Sequence, residues 1–99
     1  MALYDLEIDP EFHDKLFNAC ENMVRYQESW GDALADLVFD ELAFLAEKPF
    51  SYQLVYRNFR KAYIRLNKKV EFAIYYEIKE TDGKVIVFDF QSTSLPPIH

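Results

Sequence analysis

The apolar side chains of this chain change their spacing twice, from every second residue to every third or fourth and back again, and that double switch restricts its architecture most. Tyr4, Leu6 and Ile8 alternate with Asp5 and Glu7, as in a strand with one buried face. The alternation stops at Asp9-Pro10, where aspartate can cap free helix amides and proline suits the first helical position. Phe12, Leu16, Ala19, Met23 and Tyr26 then follow at helical spacing, predicting an amphipathic helix to about Tyr26, its apolar face widened by Phe17, Cys20 and Val24. Glu28 to Asp32 is expected to break it. A second helix, antiparallel to the first, is predicted from about Trp30 to Glu47 on the stripe Leu34, Val38, Leu42 and Leu45. Lys48-Pro49 ends it, because the residue before a proline avoids helical geometry.

Phe50 to Phe59 reads as an irregular aromatic stretch, and strand alternation resumes beyond it. Ala62, Ile64 and Leu66 alternate with Lys61, Tyr63 and Arg65. Val70, Phe72, Ile74, Tyr76 and Ile78 alternate with Glu71, Ala73, Tyr75, Glu77 and Lys79, and Val85, Val87 and Asp89 with Ile86, Phe88 and Phe90. Asn67-Lys68 and Thr81-Asp82-Gly83 supply the reversals. The expected fold is α+β: an N-terminal strand, then a two-helix hairpin packed on an antiparallel sheet with a three-strand C-terminal meander.

A length of 99 residues with 51% apolar side chains suits one domain, residues 1-99, with one core. No apolar run approaches the length of a membrane span, and the acidic start lacks the order of a signal peptide, so a cytoplasmic location and no membrane partner are expected. The single Cys20 reads as a structural thiol. His13 and His99 have no second ligand at metal-binding spacing and read as solvent residues, so neither a metal nor a cofactor is expected.

Charge is sorted along the sequence. The net charge is -6, yet from Lys48 to Val70 there are seven basic residues and no carboxylate, whereas the first 47 residues hold 2 basic and 12 acidic side chains. With Ala62, Ile64 and Leu66 facing the core, Lys61, Tyr63 and Arg65 form an outward row. Arg57, Phe59 and Arg60 stand at its start, and Lys68 and Lys69 at its end. Three readings fit. Cations interleaved with aromatics can neutralise phosphates and stack on unpaired bases. The same cations can pair with Glu71, Glu77 and Glu80 as an ordinary solvated face. An acidic peptide that folds on binding can also cover the strand and fill a groove beside the helices. Nine phenylalanines, seven tyrosines and Trp30 exceed what so small a core encloses, so some of Tyr52, Tyr56, Phe59, Tyr63 and Tyr75 are expected outside.

The order of these segments carries a resemblance. Leu45-Ala-Glu-Lys-Pro49-Phe50 is followed by Tyr56-Arg-Asn-Phe-Arg60-Lys61-Ala62-Tyr63-Ile64-Arg65, then by Phe72-Ala-Ile-Tyr75-Tyr76-Glu77-Ile78 and Val85-Ile-Val-Phe88. Over almost its whole length the chain resembles the RelE/ParE superfamily of bacterial type II toxins. The resemblance implies a toxin neutralised by a cognate antitoxin whose C-terminal segment covers the cationic surface. It further implies either mRNA cleavage on the ribosome or inhibition of DNA gyrase. For cleavage it implies Arg60, Lys61 and Arg65 as the cations that stabilise the scissile phosphate, with Arg57, Phe59, Tyr63, Lys68 and Lys69 contacting nucleic acid or partner. One departure bears on activity. Many members end the last strand His-Thr-Ser-Arg, whereas this chain reads Ser92-Thr93-Ser94-Leu95, so three outcomes stay open: a gyrase inhibitor, an RNase with altered residues, or a degenerate toxin that only binds its partner.

Overall fold

A computed structural model describes residues 3–93. The elements are β1 (Asp5–Ile8), α1 (Pro10–Tyr26), α2 (Glu28–Glu47), a 3₁₀ turn (Pro49–Ser51), β2 (Leu54–Tyr56), β3 (Phe59–Arg65), β4 (Glu71–Lys79), a second 3₁₀ turn (Glu80–Asp82) and β5 (Lys84–Ser92). Ser94, Leu95 and His99, on which part of the sequence reading rests, lie outside the described residues.

The start of α1 follows the expected chemistry. Asp9 Oδ1 accepts the Glu11 amide at 2.8 Å, and Pro10 occupies the first turn, where its missing N–H leaves no donor unpaired. The break expected over Glu28 to Asp32 falls just before that stretch and is a single residue long. Gln27 alone, in extended conformation, separates the helices, and α2 begins at Glu28. Gly31 serves packing there: a Cβ on it would lie 2.6 Å from Val24 Cγ2 and 3.1 Å from the Cys20 carbonyl oxygen of α1. Bare backbone is what lets the helices meet so closely.

Helices and sheet bury one continuous core. Phe12, Leu16 and Met23 of α1 and Leu34, Val38, Leu42 and Leu45 of α2 pack on Ala62 and Ile64 of β3, Phe72, Ile74 and Tyr76 of β4, and Val85, Val87 and Phe90 of β5. Burying each large side chain contributes about 1.5–3 kcal/mol. The Tyr76 hydroxyl, at the core's edge, donates to the Pro49 carbonyl at 2.7 Å and so carries no unpaired polar group inside.

The strand order is β1-β5-β4-β3-β2. The expected sheet was antiparallel throughout. The observed one is mixed, because β1 lies parallel to β5, Leu6 opposite Val85 and Ile8 opposite Val87. The cause is where the helical hairpin delivers the chain. The Tyr4 amide donates to the Ala46 carbonyl at 2.8 Å, so α2 ends where β1 begins. The meander β3-β4-β5 starts from that end, and its third strand points the same way as β1. A second difference is β2, an edge strand in the stretch expected to be irregular. It joins β3 through Arg57 and Asn58, with Arg57 at φ 47°.

A third difference lies in β5. Tyr75 pairs with Asp89 and Tyr76 with Val87, so Phe88 is an extra residue in a β-bulge. The bulge shifts the alternation by one. Phe90 therefore joins the core, stacked on Phe72 at 5.1 Å and edge-on to Phe12 at 5.5 Å, while Phe88 meets Phe59 at 5.7 Å. Among the described residues no helix is long and apolar enough to cross a membrane.

Candidate binding groove and cationic sheet face

Strand alternation places the side chains of β3 on two sides of the sheet. Ala62 and Ile64 are buried under the helices, and Lys61, Tyr63 and Arg65 stand on the other face. The Lys61 ammonium lies 5.5 Å from the Tyr63 ring centre and 5.2 Å from that of Tyr75, between two negative π-faces. Interaction with the Tyr75 side chain, more than that with Tyr63, holds the Lys61 pKa above the ordinary lysine value. Phe59 and Phe88 extend this aromatic surface beside Tyr75. Arg65 is less free, since its Nη2 lies 3.4 Å from Glu71 Oε2.

Arg60 parts company with these residues. It pairs across the sheet with buried Tyr76, on the helix side. Its guanidinium lies 5.1 Å from the Phe50 ring centre and donates to the Tyr52 carbonyl. It thus fastens the segment between α2 and β2, together with Tyr52, whose hydroxyl donates to Glu41 at 2.8 Å. Burial first, and then Glu41, push the Tyr52 hydroxyl up to about 12. Arg57 points its Nε at the Tyr56 hydroxyl, 3.0 Å away. Lys68 and Lys69 are exposed in the β3–β4 turn, where Asn67 Oδ1 accepts the Lys69 amide at 2.8 Å.

A groove of about 1720 Å³ lies on the helix side, between α1 and the β3–β4 turn. Its origin is a mismatch of lengths. The Asp9 amide donates to Val87, so α1 starts part-way along β5, and its 17 residues run about 25 Å. From Val87 to Ser92 the strand has only about 16 Å left. The helix therefore overhangs the sheet and opens a trough beneath itself. Phe72, Phe90, Met23 and Val70 line it with apolar surface, and Tyr26 and Trp30, stacked at 6.3 Å, stand at its helical end.

Lys15, Arg25, Arg65, Lys68 and Lys69 also line the groove, against Glu71 as the one carboxylate among its lining residues. Two of the five cations are engaged. Lys15 binds Asp89 at 2.5 Å, and Arg65 meets Glu71. Burial alone would raise the Asp89 pKa, but the Lys15 ammonium, the Phe90 amide and Gln91 together bring it below the ordinary aspartate value. Arg25, Lys68 and Lys69 make no ion pair among the described residues. With the amides of Asn18, Asn22 and Asn67 between them, they offer donors to an anion along an apolar channel.

No known protein family matches this chain, and no curated protein is significantly similar to it. The site is therefore read from its own chemistry. Among the described residues no cluster of His, Cys, Asp or Glu has metal-binding proximity. Of the residues singled out by sequence, the groove gathers Arg65, Lys68 and Lys69, the outer face holds Lys61 and Tyr63 with Phe59, and Arg60 belongs to neither. Sequence reasoning missed Lys15, Asn18, Asn22 and Arg25 on α1. Their spacing of three, four and three residues marks a polar stripe on one helical face, a signal that was present but lay outside the basic segment.

Proposed function

We propose that this chain is a RelE/ParE-like toxin domain whose groove receives an acidic, amphipathic segment of a cognate antitoxin. The observation that carries the reading is the groove itself: an apolar channel flanked by three cations without ion-pair partners among the described residues, in a protein whose net charge is -6. Carboxylates of such a segment meet Arg25, Lys68 and Lys69 while its apolar side chains cover Phe72, Phe90 and Met23, the mode by which disordered segments fold on a partner. Local charge of opposite sign to the whole also speeds correct encounter and makes it salt-sensitive.

The test is co-expression with the product of an adjacent reading frame encoding a small DNA-binding protein with an acidic tail. Expected results are growth arrest by the chain alone, relief by the second protein, and binding about 10- to 100-fold weaker in Arg25→Glu/Lys68→Glu/Lys69→Glu. Equal affinity of wild type and triple variant across a salt series would refute the groove as the binding site.

A second reading concerns activity, and the Lys61–Tyr63–Tyr75 arrangement favours it. An ammonium held between two hydroxylated rings is equipped to bind a phosphate beside a stacked base, as ribosome-dependent mRNA cleavage requires. Cleavage predicts new RNA ends in ribosome-bound messages that vanish in Lys61→Ala. The alternative is a non-catalytic protein, either a gyrase inhibitor or a degenerate toxin. Growth arrest with intact messages and lost gyrase supercoiling selects the first, and no arrest with retained partner binding selects the second.

A further inference from the structure

A second concave surface runs along the other flank of α1, in a furrow of about 380 Å³ between α1 and α2. Its α1 lining reaches from His13 to Val24, about 16 Å or three helical turns. Phe17 and Val24 of α1 and Phe39 of α2 stand along it, 64%, 47% and 57% exposed, over a floor of Cys20, Gly31 and Ala35. Its charge is of one sign. Among the described residues Glu21 and Asp32 line it and no lysine or arginine does, because the two cations of α1, Lys15 and Arg25, line the groove on the opposite flank.

Glu28, Asp32, Asp36 and Asp40 set a carboxylate at every fourth residue of α2, which carries no lysine or arginine at all. Like charges at that spacing oppose helix formation. None of the four, nor Glu21, makes an ion pair among the described residues, so the fold itself does not offset the repulsion.

We infer that this furrow receives a basic amphipathic helix of another protein, a property independent of the function proposed above. Apolar side chains at i, i+4 and i+7 of such a helix fit between Phe17, Val24 and Phe39. Lysines or arginines beside them meet Glu21 on one rim and Glu28, Asp32 and Asp36 on the other. Charge selects this occupant. A second copy laid furrow to furrow opposes carboxylate to carboxylate, and an anionic membrane or a nucleic acid is repelled. The groove on the other flank has the reverse polarity, so the two sides of α1 select partners of opposite charge.

Cys20 gives a readout confined to the furrow, since it lies in the floor and is the chain's one cysteine. Burial first, and then Asp32, raise its thiol pKa, so its alkylation is followed at mildly alkaline pH. The probe is an amidated peptide of about 15 residues with leucines at helical spacing and lysines flanking them; one control has the same residues scrambled, the other glutamate for lysine. At saturation the lysine peptide is expected to slow Cys20 alkylation at least about tenfold, and its affinity to fall at least about tenfold in Phe17→Ser/Phe39→Ser and in Asp32→Asn/Asp36→Asn. The second variant relieves like-charge repulsion, so it should unfold in urea no more readily than wild type, which separates lost binding from lost folding. Absence of binding, equal binding of either control peptide, unchanged affinity in either variant, or alkylation that a saturating peptide leaves unchanged each overturns the inference. So does self-association that Phe17→Ser/Phe39→Ser abolishes, which assigns the furrow to a second copy.

Discussion

Replacing Gly31 by alanine sets two effects of opposite sign against each other. In a helix interior, glycine to alanine is favourable by about 1 kcal/mol. Here the added methyl meets Val24 Cγ2 at 2.6 Å and the Cys20 carbonyl oxygen at 3.1 Å. The valine can move, since its side chain is half exposed, but a β-branched residue in a helix has one strongly preferred rotamer, and leaving it costs about 0.5–1.5 kcal/mol. The carbonyl belongs to the α1 ladder and yields only if the helices separate, so the overpacking cost falls at about 2 kcal/mol. The expected net effect is a loss of about 1 kcal/mol, since the methyl clash exceeds the propensity gain. Trp30, adjacent to the substitution and the one tryptophan, reports urea unfolding by its fluorescence. A double-mutant cycle isolates the clash: Val24→Ala removes the overlapping methyl, and Gly31→Ala/Val24→Ala should be more stable than the summed single effects by about 1 kcal/mol. An additive cycle, or Gly31→Ala alone stabilising by the full propensity difference, would show that the helices are not held at the distance described.

Two other perturbations address the β2–β3 turn and the β5 bulge. Arg57 has a positive φ at the first central position of a two-residue reversal, where glycine is usual, so Arg57→Gly should raise stability by about 1 kcal/mol in urea unfolding; a decrease would contradict the strain. Asp89 titrates below its ordinary value in the folded protein, so its contribution is fully present above the unfolded pKa, about 3.9, and is lost as pH falls through the lower folded one. The stability difference between wild type and Asp89→Asn should therefore be constant near neutrality and shrink in acid, and a difference that persists undiminished in acid would assign the effect to packing.

What the sequence made legible was whatever depends on neighbours along the chain. The cap at Asp9-Pro10, the end of α1 at Tyr26 and the buried sets of β3 and β4 all follow from local spacing. The expected break over Glu28 to Asp32 misplaces the start of α2, because Gly31 within it answers to the Cys20 carbonyl of the other helix, which no local pattern contains. The reversal before β3 escaped notice because Arg57 stands where a glycine would have signalled it. The bulge at Phe88 is a property of pairing with β4, so alternation within β5 gave the wrong phase for Phe90. The same limit applies to the groove. Its turn lysines were visible as charge, but their meeting with Asn18, Asn22 and Arg25 depends on how far α1 overhangs the sheet.

The parallel seam between β1 and β5 has a consequence for biosynthesis. Leu6 and Ile8 are synthesised well before Val85 and Val87, the residues beside which they pair. Closure of the sheet is thus postponed until β5 has been made, and the long stretch of chain between the paired strands slows the closing step. Nascent chains halted in the turn before β5 should remain protease-sensitive at their amino-terminal strand, with the helical hairpin waiting for a sheet that is not yet complete.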